Sequence, residues 1–404
     1  MRRSFVSTAS SLVVSLALVS SSFAVAEKTR DAGPPPGTKA RYAMDVGTTT
    51  GMARMTGGMG SAMGMMFGGG GNREMRELRL RIGSTASTPA SPYADHYFLP
   101  PAKLGKSVPL LIPEQQPRED TPAEFQRPKG RLILFWGCGA HAAKGQPVII
   151  DFAKVAAGQM PPGLFSATVP VDRGPTPGNS RTYADWPNKK SGKPPAAGSS
   201  LLGAHRIASN YAPEINFDLK QDYMAGLTGK STSVNGATIL SWNSVPAATG
   251  YHAWAMGAKV DQGGGEPRDF VWWSSSASRE FGGGLWDWIS PAVVQRLISQ
   301  KIVMPPSQTS CAIPAEVKQY APDFLMGNLY AYGPEANFSY PPKPANAAPG
   351  WTPDWTARVR YRSFTSWMIG GPMGGMGAAM GEGNAPEQKR CKPSLMGAVL
   401  GKGC

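Results

Sequence analysis

Two short stretches constrain the fold more than anything else in this chain. In RELRLRI (76–82), Leu78, Leu80 and Ile82 alternate with Glu77, Arg79 and Arg81; in ARVRYRSF (357–364), Arg358, Arg360 and Arg362 alternate with Val359 and Tyr361. A period of two belongs to a strand, so each is predicted to be a β-strand with one apolar and one basic face. Each lies beside a copy of nearly the same phrase: GGMGSAMG (57–64) precedes the first and GGMGAAMG (374–381) follows the second. If the two strands pair antiparallel, the start of one lies beside the end of the other, and both Gly-Met tracts leave the same end of the sheet.

Between these strands the pattern stays mostly β. RLILFWGCGAHAAKGQPVIIDF (131–152) reads as two apolar strands around a glycine-containing loop, a hairpin. Residues 153–200 are rich in Pro, Gly and Ser, and 201–219 alternate weakly enough for one or two short strands. SPAVVQRLISQKI (290–302) is predicted to be an amphipathic helix, with Ser290 as N-cap, Pro291 in the first turn, and Val293, Val294, Leu297 and Ile298 on one face. An apolar segment at 324–332 and a proline-rich link at 341–353 lead into the second arginine strand. Residues 27–72 pass from charges and PPPG into Gly, Met, Thr and Ala without a periodic apolar face, the composition of a disordered leader.

TSVNGATILSWNSVPAATGYHAWAM (232–256) places Trp242 at a strand end, Val245, Pro246, Ala248 and Gly250 in a short link, and Tyr251 at the opening of the next strand. In this it resembles the B and C strands of fibronectin type III and related immunoglobulin-like sandwiches, which implies a buried Trp242 and no particular activity. The helix at 290–302 departs from that pattern. The order of the whole chain, with its YAMD-to-Gly/Met leader (Tyr42 to Gly71) and LILFWGCGAH with GQP (Leu132 to Pro147), also resembles a group of exported proteobacterial proteins without an assigned role.

Arg2 and Arg3, the apolar run LVVSLALV (12–19) and Ala24-Val25-Ala26 form a cleavable export signal, too short to span a bilayer as a helix. The general export pathway is expected, with some likeness to a twin-arginine signal. Losing the two arginines lowers the formal charge from +14 to +12. A basic exported chain is expected to meet an anionic envelope polymer or a glycan, and not nucleic acid. Cys138, Cys311, Cys391 and Cys404 in an oxidising compartment allow up to two disulfides in three connectivities; Cys391–Cys404 would close a short tail loop and leave Cys138–Cys311 as the long-range pair.

Several clusters could carry chemistry. Twelve of the 19 methionines lie in 44–75 and 368–380. Met59, Met63, Met65, Met66, Met373, Met376 and Met380 could wrap thioethers around Cu(I), a soft ion, or serve merely as adaptable linker residues. All four histidines lie outside both windows, which weakens copper. The uncharged stretches 55–71 and 363–381 also carry small residues four apart, which would suit self-association or membrane contact. Six of 11 tryptophans fall between 242 and 288. Trp272, Trp273, Trp286 and Trp288 are candidate contacts for sugar rings, against packing in the core. Cys138 and His141 form a compact pair best read as a turn, and Asp151 after VII as a cap. No nucleophile elbow, zincin, P-loop or dinucleotide motif occurs.

The expected fold is mainly β: an immunoglobulin-like β-sandwich, a β-rich N-terminal region, one amphipathic helix near 290–302, and disordered Gly/Met-rich ends. The expected divisions are a signal peptide (1–26), a leader (27–72), a β-rich N-terminal domain (73–225), a fibronectin type III-like domain (226–312), a C-terminal β extension (313–364) and a Gly/Met-rich tail with a cysteine pair (365–404). The expected role is a non-enzymatic cell-envelope or extracellular binding or structural protein. A periplasmic Cu(I)-binding protein is the first alternative, and an envelope glycan-binding protein or glycan hydrolase the next.

Overall fold

The structure, a computed structural model, describes residues 37–52, 74–114, 130–156, 159, 169, 174–259, 269–281, 283–322, 324–348 and 350–370. The fold is mainly β. In chain order the nine-stranded sheet takes β1 (Ala40–Gly51), β2 (Met75–Ser84), β5 (Arg131–Trp136), β6 (Val148–Asp151), β7 (Thr182–Trp186), β12 (Gly250–Ala258), β13 (Asp269–Ser274), β15 (Phe324–Tyr340) and β16 (Trp355–Met368). Its spatial order is β6-β5-β13-β12-β15-β16-β1-β2-β7. A four-stranded sheet holds β3 (Ala94–Tyr97), β4 (Ser107–Pro109), β8 (Gly203–Ser209) and β9 (Ile215–Leu219), and a three-stranded sheet holds β10 (Gly229–Val234), β11 (Ala237–Trp242) and β14 (Ser310–Ile313).

The alternation decides which way each strand faces. Tyr42, Met44 and Val46 of β1, Leu78, Leu80 and Ile82 of β2, and Val359 and Tyr361 of β16 enter one core with Ile207, Ile215 and Leu240 of the two smaller sheets. Trp242 is buried there, 5.7 Å from the Tyr251 ring. On the opposite face, the helix Pro291–Ser299 lays Val293, Val294 and Leu297 over Trp254, Trp272, Tyr330 and Tyr332. Helix and hairpin both stand where the periodicity put them: β5 pairs antiparallel with β6. Cys138 and Cys311 form a disulfide between the loop after β5 and β14. Among the described residues, no helix is long and apolar enough to cross a membrane.

Three expectations need correction. The segment 27–72 is not a leader throughout, because residues 40–51 form β1 in the middle of the large sheet. Its inward positions run Tyr42, Met44, Val46, Thr48 and Thr50, and the Met and Thr among them, with Gly47 and Thr49 between, hid the alternation. The two arginine strands do not pair directly either. β1 lies between them, antiparallel to β2 and parallel to β16, so Met75 faces Thr49 and Thr49 faces Phe364. The chain therefore does leave at 52, return at 74 and leave again at 370 from one end of the sheet. Residues 365–368, assigned to the tail and to the uncharged stretch 363–381, continue β16. The large sheet draws strands from 27–72, 73–225, 226–312 and 313–364 alike.

Candidate anion-binding face

The outward side of β2, β1 and β16 carries the charges that the alternation predicted, and β1 decides how they pair. Asp45 lies directly between Arg79 of β2 and Arg360 of β16. It bonds to neither. Its Oδ2 takes Arg81 Nη2 at 2.6 Å and its Oδ1 takes Arg358 Nη2 at 3.5 Å, both on the diagonal. Asp45 is 1 % exposed, so two cations are what make its burial tolerable. Arg360 turns the other way: a register shift in β15 between Tyr332 and Glu335 sets Glu335 opposite it, and Nε donates to Glu335 Oε2 at 2.5 Å.

Gly47 makes the third contact possible. A Cβ there would stand 2.8 Å from Glu77 Oε2; without one, Glu77 of β2 passes over β1 to meet Arg362 of β16 at 3.3 Å. Arg41, at the end of the row, donates to the Asn179 carbonyl and side chain, and burial lowers its pKa. That leaves Arg79. It is exposed and, among the described residues, has no hydrogen bond or ion pair. Its positive charge, with that of Arg81, opposes the rise of the neighbouring Tyr183 phenol, which burial first and Asp185 second push up to about 12.

An aromatic cluster adjoins this face. Trp254 and Trp272 stack at 4.4 Å between ring centroids, Trp286 tilts against both at 5.6 Å, and Phe281 meets Trp272 edge-on at 5.0 Å. Trp286 is 39 % exposed. The indole N–H groups of Trp254 and Trp272 are buried without an acceptor. Arg362 joins the two regions: its guanidinium lies 3.4 Å over the Trp288 ring and donates to the Trp286 carbonyl at 2.5 Å. Trp288 Nε1 in turn donates to the Val46 carbonyl.

Of the four tryptophans proposed as sugar contacts, Trp272 and Trp286 share this cluster. Trp273 points to the opposite core, is fully buried, and donates to the Gly137 carbonyl. Trp288 is buried beneath Arg362. Trp254 was missed, although its spacing from Trp242 and Tyr251 in an alternating strand puts it on the other face. The seven candidate methionine ligands, Cys391 and Cys404 lie outside the described residues. Cys138 is in its disulfide, His141 Nδ1 is 3.1 Å from Glu316, and Asp151 accepts from the Ala153 N–H as a cap. Among the described residues, no group of three or more His, Cys, Asp or Glu could hold a metal ion.

A second polar constellation is internal. Tyr42 hydroxyl and His96 Nδ1 are 2.5 Å apart, His96 Nε2 and His205 Nδ1 2.8 Å, and His205 Nε2 and the Leu201 carbonyl 2.7 Å. The carbonyl can only accept, so His205 carries its proton on Nε2, His96 on Nε2, and Tyr42 donates. One tautomer each satisfies the chain with both rings neutral. Burial lowers the pKa of both histidines, that of His96 strongly. This joins β1 to the four-stranded sheet. Comparison with protein-family models, with curated proteins and with solved structures finds no match to this chain.

Proposed function

We propose that this is an exported, non-enzymatic binding or structural protein of the cell envelope or extracellular space, and that the β2–β1–β16 face holds an anionic polymer. Arg79 carries the reading. Of the six arginines on that face, Arg81, Arg358, Arg360 and Arg362 meet the three carboxylates Asp45, Glu77 and Glu335, Arg41 bonds to Asn179, and the exposed guanidinium of Arg79 is left over. A planar fork of N–H donors suits carboxylate or phosphate, and its neighbours hold the surrounding surface rigid. The test is binding of the whole chain to polygalacturonate and to polyphosphate over a salt series. Affinity is expected to fall with ionic strength as screening shortens to about 3 Å at 1 M, and Arg79→Glu to weaken both probes by about tenfold or more. Binding insensitive to salt and to that substitution would end the reading.

The Cu(I) reading keeps one support, since the chain on both sides of the first Gly-Met tract and on the near side of the second meets at one end of the sheet. Replacing Met59, Met63, Met65, Met66, Met373, Met376 and Met380 by Leu would abolish Cu(I) uptake if it holds; equal uptake by both proteins would remove it.

A further inference from the structure

We infer that the polymer is an acidic polysaccharide, with one pyranose ring lying on Trp286 and an acidic group of the same chain on Arg79. This rests on the anionic reading of the arginine face and adds the chemistry of the ligand. Trp286 is an exposed aromatic held in place, because Trp254 and Trp272 support its ring at 5.6 Å each and themselves stack at 4.4 Å. A surface already ordered loses little conformational freedom when a ligand covers it, and a flat apolar face matches the C–H face of a sugar ring.

The aromatic and basic parts lie within reach of one short oligosaccharide. Arg362 contacts the Trp286 carbonyl and Glu77, and Arg79 is the next residue on that side of β2. With strands ~4.8 Å apart and ~3.4 Å per residue, the Cα atoms of Arg362 and Arg79 are about 12 Å apart. Charge density separates a glycan from more heavily charged polymers. Glu77, Asp45 and Glu335 are interspersed among the arginines and would repel a backbone with a phosphate at every unit. One free guanidinium suits a chain with spaced carboxylates. Polyphosphate, in addition, has no apolar face to place on Trp286.

The experiment compares the whole chain with Trp286→Ala, Trp286→Phe and Arg79→Ala, using polygalacturonate, neutral dextran, polyphosphate and a single-stranded oligothymidylate. Polygalacturonate is expected to bind tightest and to change tryptophan fluorescence. Trp286→Ala and Arg79→Ala are each expected to weaken it by about tenfold, and Trp286→Phe to retain most of the affinity. Polyphosphate binding should respond to Arg79→Ala alone, which also shows that Trp286→Ala is folded. Polygalacturonate binding that ignores Trp286→Ala but needs Arg79 would overturn the inference and leave the anionic face standing. Indifference to both substitutions would overturn both. Tighter binding of the oligothymidylate would replace the glycan with nucleic acid.

Discussion

Asp45 and Arg79 face each other across one strand pair, yet they bear very different weights. Asp45 is the shared partner of Arg81 and Arg358, so Asp45→Ala would take one buried carboxylate away from two guanidinium groups at once. The expected loss is about 3–5 kcal/mol, read as a lower midpoint in urea unfolding. Arg79→Ala, at an exposed position without an ion pair, should stay within about 0.5 kcal/mol of the parent. Equal losses would mean that Arg79, too, is structural. Gly47→Ala tests the crossing above it: its Cβ would displace the Glu77 carboxylate from Arg362. Glu77 Cβ also stands 3.0 Å from the added atom, so swinging the carboxylate aside does not clear the contact, and the cost should fall within the overpacking range, about 1–3 kcal/mol, seen as a drop in Tm. The arginine alternation was legible because the period of two survives in any context. Which arginine would be left over was not, since it turns on Asp45 choosing diagonal neighbours.

At the scale of elements, β1 is the strand that the sequence concealed. Local composition marks Gly, Thr and Met as linker-like, whereas the stability of β1 comes from partners far along the chain, β2 on one edge and β16 on the other. Its tie to the four-stranded sheet runs through Tyr42, His96 and His205. Tyr42→Phe removes the donor to His96 Nδ1 and should cost about 1–3 kcal/mol by leaving a buried acceptor unmet. The same elements carry a pH dependence. Burial lowers the folded-state pKa of His96 and His205, and that of His252 from 6.5 to about 4. With protons binding more readily to the unfolded chain, this stability is present above about pH 6.5 and is lost as pH falls toward 4, by up to ~1.4 kcal/mol per unit for each histidine. The hydrogen bond to the Leu201 carbonyl and, after it, the charge of Asp218 work against the shift at His205, so that residue should contribute less than His96. Carboxylates with lowered pKa, Glu316 and Asp269, act below 4.5 and 3.8 and so leave the upper window to the histidines. Urea midpoints at pH 7, 6 and 5 would show the decline; a flat profile would mean that the rings are not held neutral.

Across the whole molecule, the sheet order is set by pairings that no local pattern announces, and the disulfide is the long-range link that cysteine counting did anticipate. Cys138 and Cys311 are 173 residues apart. The bond fastens the loop after β5, part of the nine-stranded sheet, to β14 of the three-stranded sheet. Backbone bonds from Gly139 N–H to the Ala312 carbonyl and from Ala315 N–H to the Ala140 carbonyl flank it. Those bonds should keep the two loops together after reduction, so the native contacts survive and the main change falls on the unfolded chain. For a closed loop of this length, chain entropy assigns about 5 kcal/mol to the link, and measured bridges usually deliver 2–4 kcal/mol. Reduced protein, or Cys138→Ser with Cys311→Ser, is therefore expected to keep its β-sheet circular dichroism while its urea midpoint falls. The same variant should still bind polygalacturonate, because Arg79 and Trp286 belong to the outward face of the large sheet and not to the bridged loops. If binding were lost while the β-signal stayed intact, the basic face would depend on how the two sheets are clamped, and the ligand site would have to extend to the loops around Cys138.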